Sequence, residues 1–381
     1  MEKYDVVIIG AGIAGCGLAY NLKKQGYNGN VLIVDKKRIG SNADCGYRNT
    51  FSDVLKEYNL PYYHKYRGIK IGANDKVFFT INEPFFFVNY QEICEFLFKD
   101  SNSEFRKEKA IDLNKNTLIT EKKKYRFKYL IDCSGSGFFL RNKFKFKKPF
   151  VYYIGKTKVI KTEEKLSDKY FFCTTNTSGY VEDLYPLKKE IIQGNWQITN
   201  RIDFNLINIP KKNLLNKFFK NYETIKTSLA VDPISPVFPL IYKNYAFLGD
   251  SFGNASSVGE GIRPILESSK LLSESIITKN LDNFEKKWKK YNLEKYTKCL
   301  ISKYETKTNH SFIRYLNKRP SKEELFEIFK DYPDIFLRAL KNESVNLPKE
   351  ALKKCPANFI IRRAIYYSYL KLKYAKMQFF G

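Results

Sequence analysis

The sequence predicts a mixed α/β (α+β) fold: a Rossmann-like nucleotide-binding domain, a β-sheet domain and a helical C-terminal region. Three observations support this prediction. An apolar strand at the N-terminus leads directly into a glycine-rich turn, and a second glycine-rich turn follows another apolar strand near residue 250. After residue 280 the pattern is helical and is interrupted by prolines. Because the two glycine turns are far apart in the chain, the nucleotide-binding domain must be discontinuous.

The first unit combines a strand, a turn, a helix and a second strand in the order of a dinucleotide-binding motif. Residues 4–9 are apolar and mostly β-branched, residues 16–25 are helical in pattern, and residues 31–34 form another apolar strand. Asp35 ends that strand, 20 residues after Gly15, at the spacing expected of an acid that binds a ribose. The candidate cofactor-binding residues of this unit are Gly10, Gly12, Ile13, Ala14, Gly15, Asp35 and Lys36.

Each glycine of this motif has a physical role. Gly10 permits the tight turn, Gly12 lets the backbone approach a pyrophosphate, and Gly15 allows close packing of helix and strand. The helix N-terminus then offers unpaired N–H groups and the positive end of its dipole to the phosphates. The motif predicts a dinucleotide but does not choose between FAD and NAD.

The second unit lies at residues 245–261, where a short apolar strand enters Gly-Asp and then a glycine-rich loop. A helix is predicted from about residue 260 to about residue 277. A carboxylate at a strand end can accept hydrogen bonds from sugar-alcohol hydroxyls, and the helix N-terminus can stabilise negative charge on a flavin ring. The candidate cofactor-binding residues here are Gly249, Asp250, Gly259, Gly261 and Ile262.

The combined pattern GxGxxG, GDxxG and GEG resembles the p-hydroxybenzoate hydroxylase class of glutathione-reductase-type FAD enzymes. Within that class, the Gly-Glu-Gly-Ile-Arg-Pro run at 259–264 is similar to the geranylgeranyl reductase family, whose archaeal members saturate isoprenoid lipid chains. The Cys-Gly pair at 45–46 and the aromatic segment 179–187 also resemble that family. The resemblance covers most of residues 1–280 and implies FAD as the cofactor.

The resemblance also implies roles for residues outside the two glycine turns. It places Cys45 and Gly46 next to the flavin, where the thiol either donates a proton or tunes the ring, or else only fills space. Tyr180 and Tyr185 are candidate catalytic residues and candidate walls for an apolar chain. Pro186 and Arg263 complete the candidate substrate-binding set, in which Arg263 either holds an anionic headgroup or pairs with Glu260 or Glu267.

The chain departs from the family pattern at three places. Asp132 stands before Cys-Ser-Gly, where the class carries Asp-Gly at a strand end. Asn-Tyr-Gln at 89–91 occupies the place where an arginine that touches the cofactor phosphates is expected. Ser-Ser at 256–257 replaces a proline of many relatives. No metal-ligand spacing is present, so no metal is expected.

The predicted domains are a discontinuous FAD-binding domain at 1–145 and 240–280, a substrate sheet domain at 146–239 and a helical region at 281–381. Residues 231–240, with three prolines, are the expected linker back into the FAD-binding domain.

Composition indicates partners and location. The chain has 381 residues with 67 Lys and Arg against 40 Asp and Glu, a formal charge of +27, which favours an anionic partner. An acidic, ferredoxin-like electron donor fits this surface. The seven cysteines form no CxxC pair, and no signal-peptide pattern is present, so a cytoplasmic protein is expected. The basic, aromatic segment 352–381 is either a packed terminal helix or a contact with the anionic inner face of a membrane.

The leading hypothesis is an FAD-dependent oxidoreductase that reduces C=C bonds of geranylgeranyl-type isoprenoid chains by hydride transfer from reduced flavin. A flavin-dependent monooxygenase on the same scaffold is the alternative enzyme. An RNA-binding flavoprotein would use the basic surface, but no RNA-binding signature is present and no nucleic acid is expected. A flavin-binding protein without turnover remains open because of the departures above.

Overall fold

The computed structural model describes residues 1–41, 47–73, 76–175, 180–207, 209–210, 213–254, 261–289, 330–333 and 337. Its strands are β1 (Glu2–Ile9), β2 (Val31–Asp35), β3 (Tyr47–Phe51), β4 (His64–Tyr66), β5 (Gly68–Ala73), β6 (Lys76–Ile81), β7 (Phe85–Asn89), β8 (Glu104–Lys107), β9 (Ala110–Asn114), β10 (Thr117–Thr120), β11 (Lys124–Asp132), β12 (Tyr152–Lys161), β13 (Tyr170–Thr175), β14 (Tyr180–Pro186), β15 (Ile191–Thr199), β16 (Glu223–Pro233), β17 (Ile241–Tyr242) and β18 (Tyr245–Phe247). Its helices are α1 (Ile13–Lys24), α2 (Ser52–Tyr58), α3 (Tyr90–Lys99), α4 (Phe139–Lys143), α5 (Leu214–Phe218) and α6 (Ile262–Ile277).

The first sheet, that of the nucleotide-binding domain, has the order β17-β18-β11-β1-β2-β8, with β9 and β10 paired beside β11. Strands β18 to β8 along this order are parallel, whereas β17, β10 and β9 pair in antiparallel fashion. Its central strands are buried along most of their length because helices cover the sheet, and α1 packs between α3 and α6. The predicted mixed α/β fold is confirmed. Helix α1 begins at Ile13, three residues before the predicted start, directly after the glycine turn.

The second sheet has seven strands in the order β16-β12-β15-β14-β13-β5-β6. The sequence assigned residues 68–81 to the nucleotide-binding domain, but β5 pairs in parallel with β13 and carries β6 with it. The sequence also assigned residues 231–233 to the return linker, whereas they end strand β16, which pairs with β12. Local hydrophobic pattern identifies strands but does not reveal which distant strand they join.

The two faces of this sheet have different neighbours because side chains alternate along each strand. On β14, Tyr180, Glu182 and Leu184 belong to the outer face, where Leu184 packs with residues of α5. Asp183 and Tyr185 belong to the opposite face, which we call the inner face. Cross-strand pairing places Tyr153, Gly155 and Thr157 of β12, Gly194 and Trp196 of β15, and Cys173 of β13 on that inner face.

A third sheet, in the order β3-β7-β4, covers one end of the inner face. Phe87 of β7 stacks on Tyr185, with 4.8 Å between the ring centroids, and Tyr185 also stacks on Phe171 of β13. Residues 282–289 are helical, and Phe284 and Trp288 are buried in the core of the nucleotide-binding domain. Most of the predicted helical region 281–381 lies outside the described residues. None of the helices in the described ranges is long and apolar enough to cross a membrane.

Candidate functional site

A cavity of about 650 Å³ lies where the first glycine turn meets the second, and the edge strand β16 forms one of its walls. This volume is typical of a site for a small molecule or cofactor. The residues predicted to bind a cofactor that line it are Gly10, Gly12, Ile13, Ala14, Asp35, Lys36, Asp250, Gly261 and Ile262. The sequence motifs at the two ends of the nucleotide-binding domain therefore meet at one cavity.

The first turn depends on two glycines that stand too close to backbone atoms for any side chain. Gly10 has φ +113°, and a Cβ atom there would lie 2.2 Å from the carbonyl oxygen of Cys133. A Cβ atom at Gly15 would lie 2.0 Å from the carbonyl oxygen of Gly10. These contacts hold β1, α1 and the end of β11 together at the cavity.

Asp35 lies at the end of β2 and is almost fully buried. Its carboxylate accepts hydrogen bonds from the backbone N–H groups of Ala11 and Lys37, each at 2.8 Å. Each carboxylate oxygen can accept a second hydrogen bond, so the group can still bind a hydroxyl of a ribose in the cavity. The same contacts tie the end of β2 to the first glycine turn.

Tyr90, the first residue of α3, lies in the segment 89–91 where the family resemblance implies an arginine. Its hydroxyl oxygen accepts a hydrogen bond from the N–H of Ile13 at 3.1 Å, at the N-terminus of α1. A Cβ atom at Gly12 would lie 2.8 Å from that hydroxyl. A tyrosine therefore closes one side of the first turn without adding a positive charge.

The turn at 134–137 forms another side of the cavity and is held by Asp132. This buried carboxylate accepts hydrogen bonds from the N–H groups of Ser134, at 3.0 Å, and Leu140, at 2.8 Å. Burial raises the pKa of Asp132, while the hydrogen bonds and the nearby Arg141 oppose the increase. The sequence here differs from the Asp-Gly pattern of the class, but Asp132 still supplies an acid that organises the turn.

The second glycine turn packs directly on the first. Gly249 has φ +69°, and a Cβ atom there would lie 2.8 Å from the Cβ atom of Ala14. Asp250 follows it, and Gly261 and Ile262 bring the N-terminus of α6 to the cavity. Gly259 lies outside the described residues.

Arg141 supports the second glycine turn, and sequence reasoning did not identify it. Its fully buried guanidinium donates hydrogen bonds to the carbonyl oxygens of Ser251 at 2.6 Å, Lys147 at 2.9 Å and Val237 at 2.9 Å. It also lies over the ring of Phe247. Burial lowers the pKa of Arg141 to about 10, and the Asp132 carboxylate opposes that decrease. No local pattern marks an arginine that binds distant carbonyl groups.

The two tyrosines predicted to be catalytic are not brought together. Tyr180 lies on the outer face of the sheet, and its hydroxyl donates to Oδ1 of Asn195 at 2.6 Å. Tyr185 lies on the inner face, within the aromatic cluster. Successive side chains of a strand point to opposite faces of the sheet. Tyr180 and Tyr185 are five positions apart on β14, an odd number, so their side chains point in opposite directions.

The remaining predicted residues are placed as follows. The carbonyl oxygen of Pro186 accepts a hydrogen bond from the hydroxyl of Tyr66. Arg263 donates to Oδ1 of Asp53 at 2.6 Å, a partner that the sequence did not indicate. Cys45 and Gly46 lie outside the described residues. Among the described residues, no group of His, Cys, Asp and Glu side chains could hold a metal ion.

Comparison with known proteins agrees with this geometry. The sequence model of a family described as FAD dependent oxidoreductase matches residues 5–50. A geranylgeranyl bacteriochlorophyll reductase-like protein from Thermoplasma acidophilum has a TM-score of 0.66 at 16% identity, over 90% of this chain and 99% of that one. The chain has the fold of an FAD-dependent oxidoreductase. FAD is therefore the cofactor, as the resemblance implied.

Two further solved structures have the same fold. A flavin-dependent brominase has a TM-score of 0.59 at 17% identity, over 97% of this chain and all of that one. A probable FAD-dependent monooxygenase from Pseudomonas aeruginosa has a TM-score of 0.53 at 12% identity, over 76% of this chain and 92% of that one. The fold thus occurs among flavoproteins with different activities.

The residues around the cavity fit FAD. The N-terminus of α1 offers to a pyrophosphate the first-turn N–H groups after that of Ile13, which donates to Tyr90, and Asp35 offers a carboxylate to a ribose. The N-terminus of α6 meets the same cavity next to Asp250. When bound, FAD supplies the redox chemistry, and the protein residues described here bind and orient it.

We expect the Asp35→Asn variant to bind FAD about 10- to 100-fold more weakly, because an amide cannot accept from Ala11 and Lys37 while also accepting from a ribose hydroxyl. Titration of the cofactor-free protein with FAD, followed by flavin fluorescence, measures this change. Asp5→Asn is the matched control, since Asp5 of β1 also accepts a hydrogen bond from a backbone N–H group, that of Asn30, but lies outside the cavity. Equal affinities of both variants would contradict a ribose site at Asp35.

Proposed function

We propose that this protein is an FAD-dependent oxidoreductase that reduces C=C bonds of geranylgeranyl-type isoprenoid chains, as found in archaeal membrane lipids. The observation that carries the proposal is the apolar, aromatic inner face that continues from the wall of the cofactor cavity. The family resemblance and the likeness to the geranylgeranyl bacteriochlorophyll reductase-like protein support the same substrate class.

The inner face offers an isoprenoid chain the contacts that such a chain can use. Tyr153 and Trp196 stack with 5.1 Å between their ring centroids and 7° between their planes. The Trp196 ring lies flat over Gly155 and Gly194, where a Cβ atom would come within 2.5 Å of it. Val181 and Ile234 pack against this pair. An alkene chain has no hydrogen-bonding groups, so apolar area and shape must provide its affinity.

Reduction of an isolated alkene needs a positioned acid as well as a flavin. Such an alkene is a poor hydride acceptor, so its protonation must precede or accompany hydride transfer. The protein must therefore hold the chain against the cofactor, exclude water and present a proton donor.

The proposal includes partners suited to the charge of the chain. The formal charge of +27 favours an acidic electron donor of the ferredoxin type and an anionic membrane surface, where lipid substrates are found. A cytoplasmic protein that binds peripherally to the inner membrane face would meet both. Reduction by such a donor should slow as the salt concentration rises.

The test is anaerobic reduction of the FAD-loaded protein with dithionite, followed by addition of a geranylgeranyl lipid. We expect the oxidised flavin spectrum to return and the product to gain two hydrogen atoms per reduced bond. Flavin that stays reduced in the presence of the lipid would overturn the proposal.

A flavin-dependent monooxygenase is the second candidate, because the brominase and the probable monooxygenase share the fold. It would consume oxygen with reduced flavin and leave the alkene count of the lipid unchanged. Reoxidation by oxygen with incorporation of oxygen into a substrate, without anaerobic reoxidation by the lipid, would favour it.

A further inference from the structure

Exposed apolar side chains are concentrated at one edge of the seven-stranded sheet. Strand β16 ends the order of that sheet, and only its β12 side pairs with another strand of the described residues. Nine large apolar side chains are exposed in the described part of the chain, and five of them lie on β16, just before it, or on and just after β15. This edge is therefore the main apolar surface that the described residues leave open to solvent. We use the name edge patch for Ile202, Phe204, Leu206, Ile225, Leu229 and Val231.

Packing and strand geometry bring the members of the edge patch together. Phe204, Leu206 and Val231 pack on one small buried cluster that includes Ile154 of β12, on the outer face of the sheet. Leu229 precedes Val231 by two positions on β16, so it lies on the same face. The edge patch is therefore a surface of the outer face, continued by the residues on either side of it in the chain.

The most exposed members of the edge patch are isoleucine and leucine side chains. Ile202 is 47% exposed, Ile225 is 56% exposed and Leu229 is 45% exposed. A bulge in the pairing of β16 with β12 leaves Ile225 without a partner residue on β12. Contiguous exposed apolar surface marks a site of interaction with a protein or a membrane.

Two lysines lie on the outer face beside the edge patch. Lys156 of β12 stands opposite Leu229 of β16. Lys158 lies two positions along β12 and therefore on the same face. Burial lowers the pKa of Lys158, and the positive charge of Lys156 adds to the decrease, while the Glu182 carboxylate opposes it. The two ammonium groups thus repel each other, and an anionic layer placed on the edge patch would relieve that repulsion.

The acids at this edge do not cancel the charge of the two lysines. Asp203 forms an ion pair with Arg201, with 3.4 Å between Oδ2 and Nη2. Glu182 is buried and accepts hydrogen bonds from Gln193 and from the first turn of α5. Glu223 is exposed at the start of β16, at the end of the strand farthest from Val231. The edge patch is therefore bordered by positive charge.

An anionic lipid surface fits this combination better than a second copy of the chain. Two copies that met at β16 would bring their lysines together, on chains that each carry a formal charge of +27. A membrane interface accepts apolar side chains without requiring a matching shape, and its anionic headgroups attract lysines.

The edge patch adjoins the cofactor cavity. Leu229 and Val231 belong to the patch and also line the cavity. Phe138 belongs to the buried cluster on which Val231 packs, and it directly follows the turn at 134–137 that forms another side of the cavity. A lipid surface that covered the edge patch would therefore lie next to the FAD site.

We propose that the edge patch docks on an anionic lipid surface, with Ile202, Ile225 and Leu229 among the acyl chains and Lys156 at the headgroups. The inference rests on the proposed function, which requires an apolar chain to reach the flavin. It names the surface through which the protein meets the membrane that holds such chains.

Docking is tested without turnover, by cosedimentation of the FAD-loaded protein with vesicles of phosphatidylcholine and phosphatidylglycerol in equal parts. We expect the unmodified protein to bind, and the Ile202→Ser, Ile225→Ser double variant to bind at least about 10-fold more weakly. Both side chains lie outside the cofactor cavity, so the double variant should keep its FAD. Ile111→Ser is the control for loss of an exposed isoleucine, because Ile111 is 57% exposed on β9 of the first sheet.

The contribution of charge is tested with Lys156→Gln on the same vesicles. We expect this variant to bind about five-fold more weakly at low salt and to depend less on salt concentration. Lys128→Gln is the matched control, because Lys128 is an exposed lysine on β11. Equal loss of binding in both variants would mean that the net charge of the chain, and not this edge, attracts the vesicles.

The outcomes separate docking from the proposed function. Anaerobic reoxidation by a geranylgeranyl lipid is measured in detergent micelles and in the same vesicles, and we expect the double variant to be slow only in vesicles. Flavin of the unmodified protein that stays reduced in micelles would overturn the proposed function, whereas vesicle binding would still decide docking. Docking is wrong if the unmodified protein does not bind the vesicles, or if the double variant binds them equally well. A dimer that the double variant dissociates, with vesicle binding unchanged, would assign the edge patch to a second copy instead.

Discussion

The Gly10→Ala variant should be purified without FAD, and most of it should be unfolded or aggregated. A Cβ atom at this position would lie 2.2 Å from the carbonyl oxygen of Cys133, so β1 and the end of β11 would have to separate. The φ of +113° adds backbone strain that any residue other than glycine must bear. We expect a loss of at least about 4 kcal/mol of unfolding free energy. Flavin absorbance per protein and thermal unfolding measure both effects.

Gly26→Ala is the matched control for this prediction. Gly26 follows α1 with φ +80°, and no atom lies within 4 Å of where its Cβ would be. Its alanine variant therefore carries backbone strain without a collision and should lose about 1–2 kcal/mol while retaining FAD. If the two variants unfolded alike and both kept FAD, close approach of Gly10 to Cys133 would not be required for the site.

The nucleotide-binding unit could be predicted from the sequence because its determinants are local. The first strand, the glycine turn, the helix and Asp35 lie within 35 residues. Each is marked by a local signal: hydrophobic periodicity, glycine spacing or an acidic residue at a strand end. The second turn was found because Gly-Asp follows a short apolar strand. Their meeting at one cavity follows from parallel strands, which present their carboxyl ends at the same edge of the sheet.

What the sequence did not reveal depends on contacts between distant segments. Strands β5 and β6 leave the nucleotide-binding domain to pair with β13, and no local feature encodes that pairing. The separation of Tyr180 and Tyr185 was present in the sequence as an odd spacing on one strand, and the same parity places Asp183 beside Tyr185. Burial raises the pKa of Asp183 to about 7, and no local feature of the sequence indicates this, because the strands that bury it are distant in the chain.

The raised pKa of Asp183 has a consequence for the fold as a whole. An acid that loses stability on ionisation reduces the stability of the folded protein at neutral pH, and a neutral isostere would remove that loss. Burial also raises the pKa of Glu182, one residue away, although hydrogen bonds from Gln193 and from the first turn of α5 oppose the increase.

Arg141→Met should destabilise the protein by about 3–5 kcal/mol and weaken FAD retention. The variant removes a buried charge whose donors bind the carbonyl oxygens of Ser251, Lys147 and Val237, and these carbonyls would stay buried without a partner. Methionine fills part of the volume but donates no hydrogen bond. The turn that carries Asp250 would lose its fixed position relative to β11, so the two glycine turns would no longer share one cavity.

The control for this prediction is Arg126→Met on β11, because that side chain is exposed on the same strand that leads to Asp132. Urea unfolding and the FAD content of the purified variants give the two readouts. We expect Arg126→Met to change stability by less than about 0.5 kcal/mol and to keep its flavin. Comparable stability of the two variants would mean that backbone packing alone holds the second turn. Loss of flavin without loss of stability in Arg141→Met would instead mean that this arginine acts mainly on the shape of the cofactor cavity.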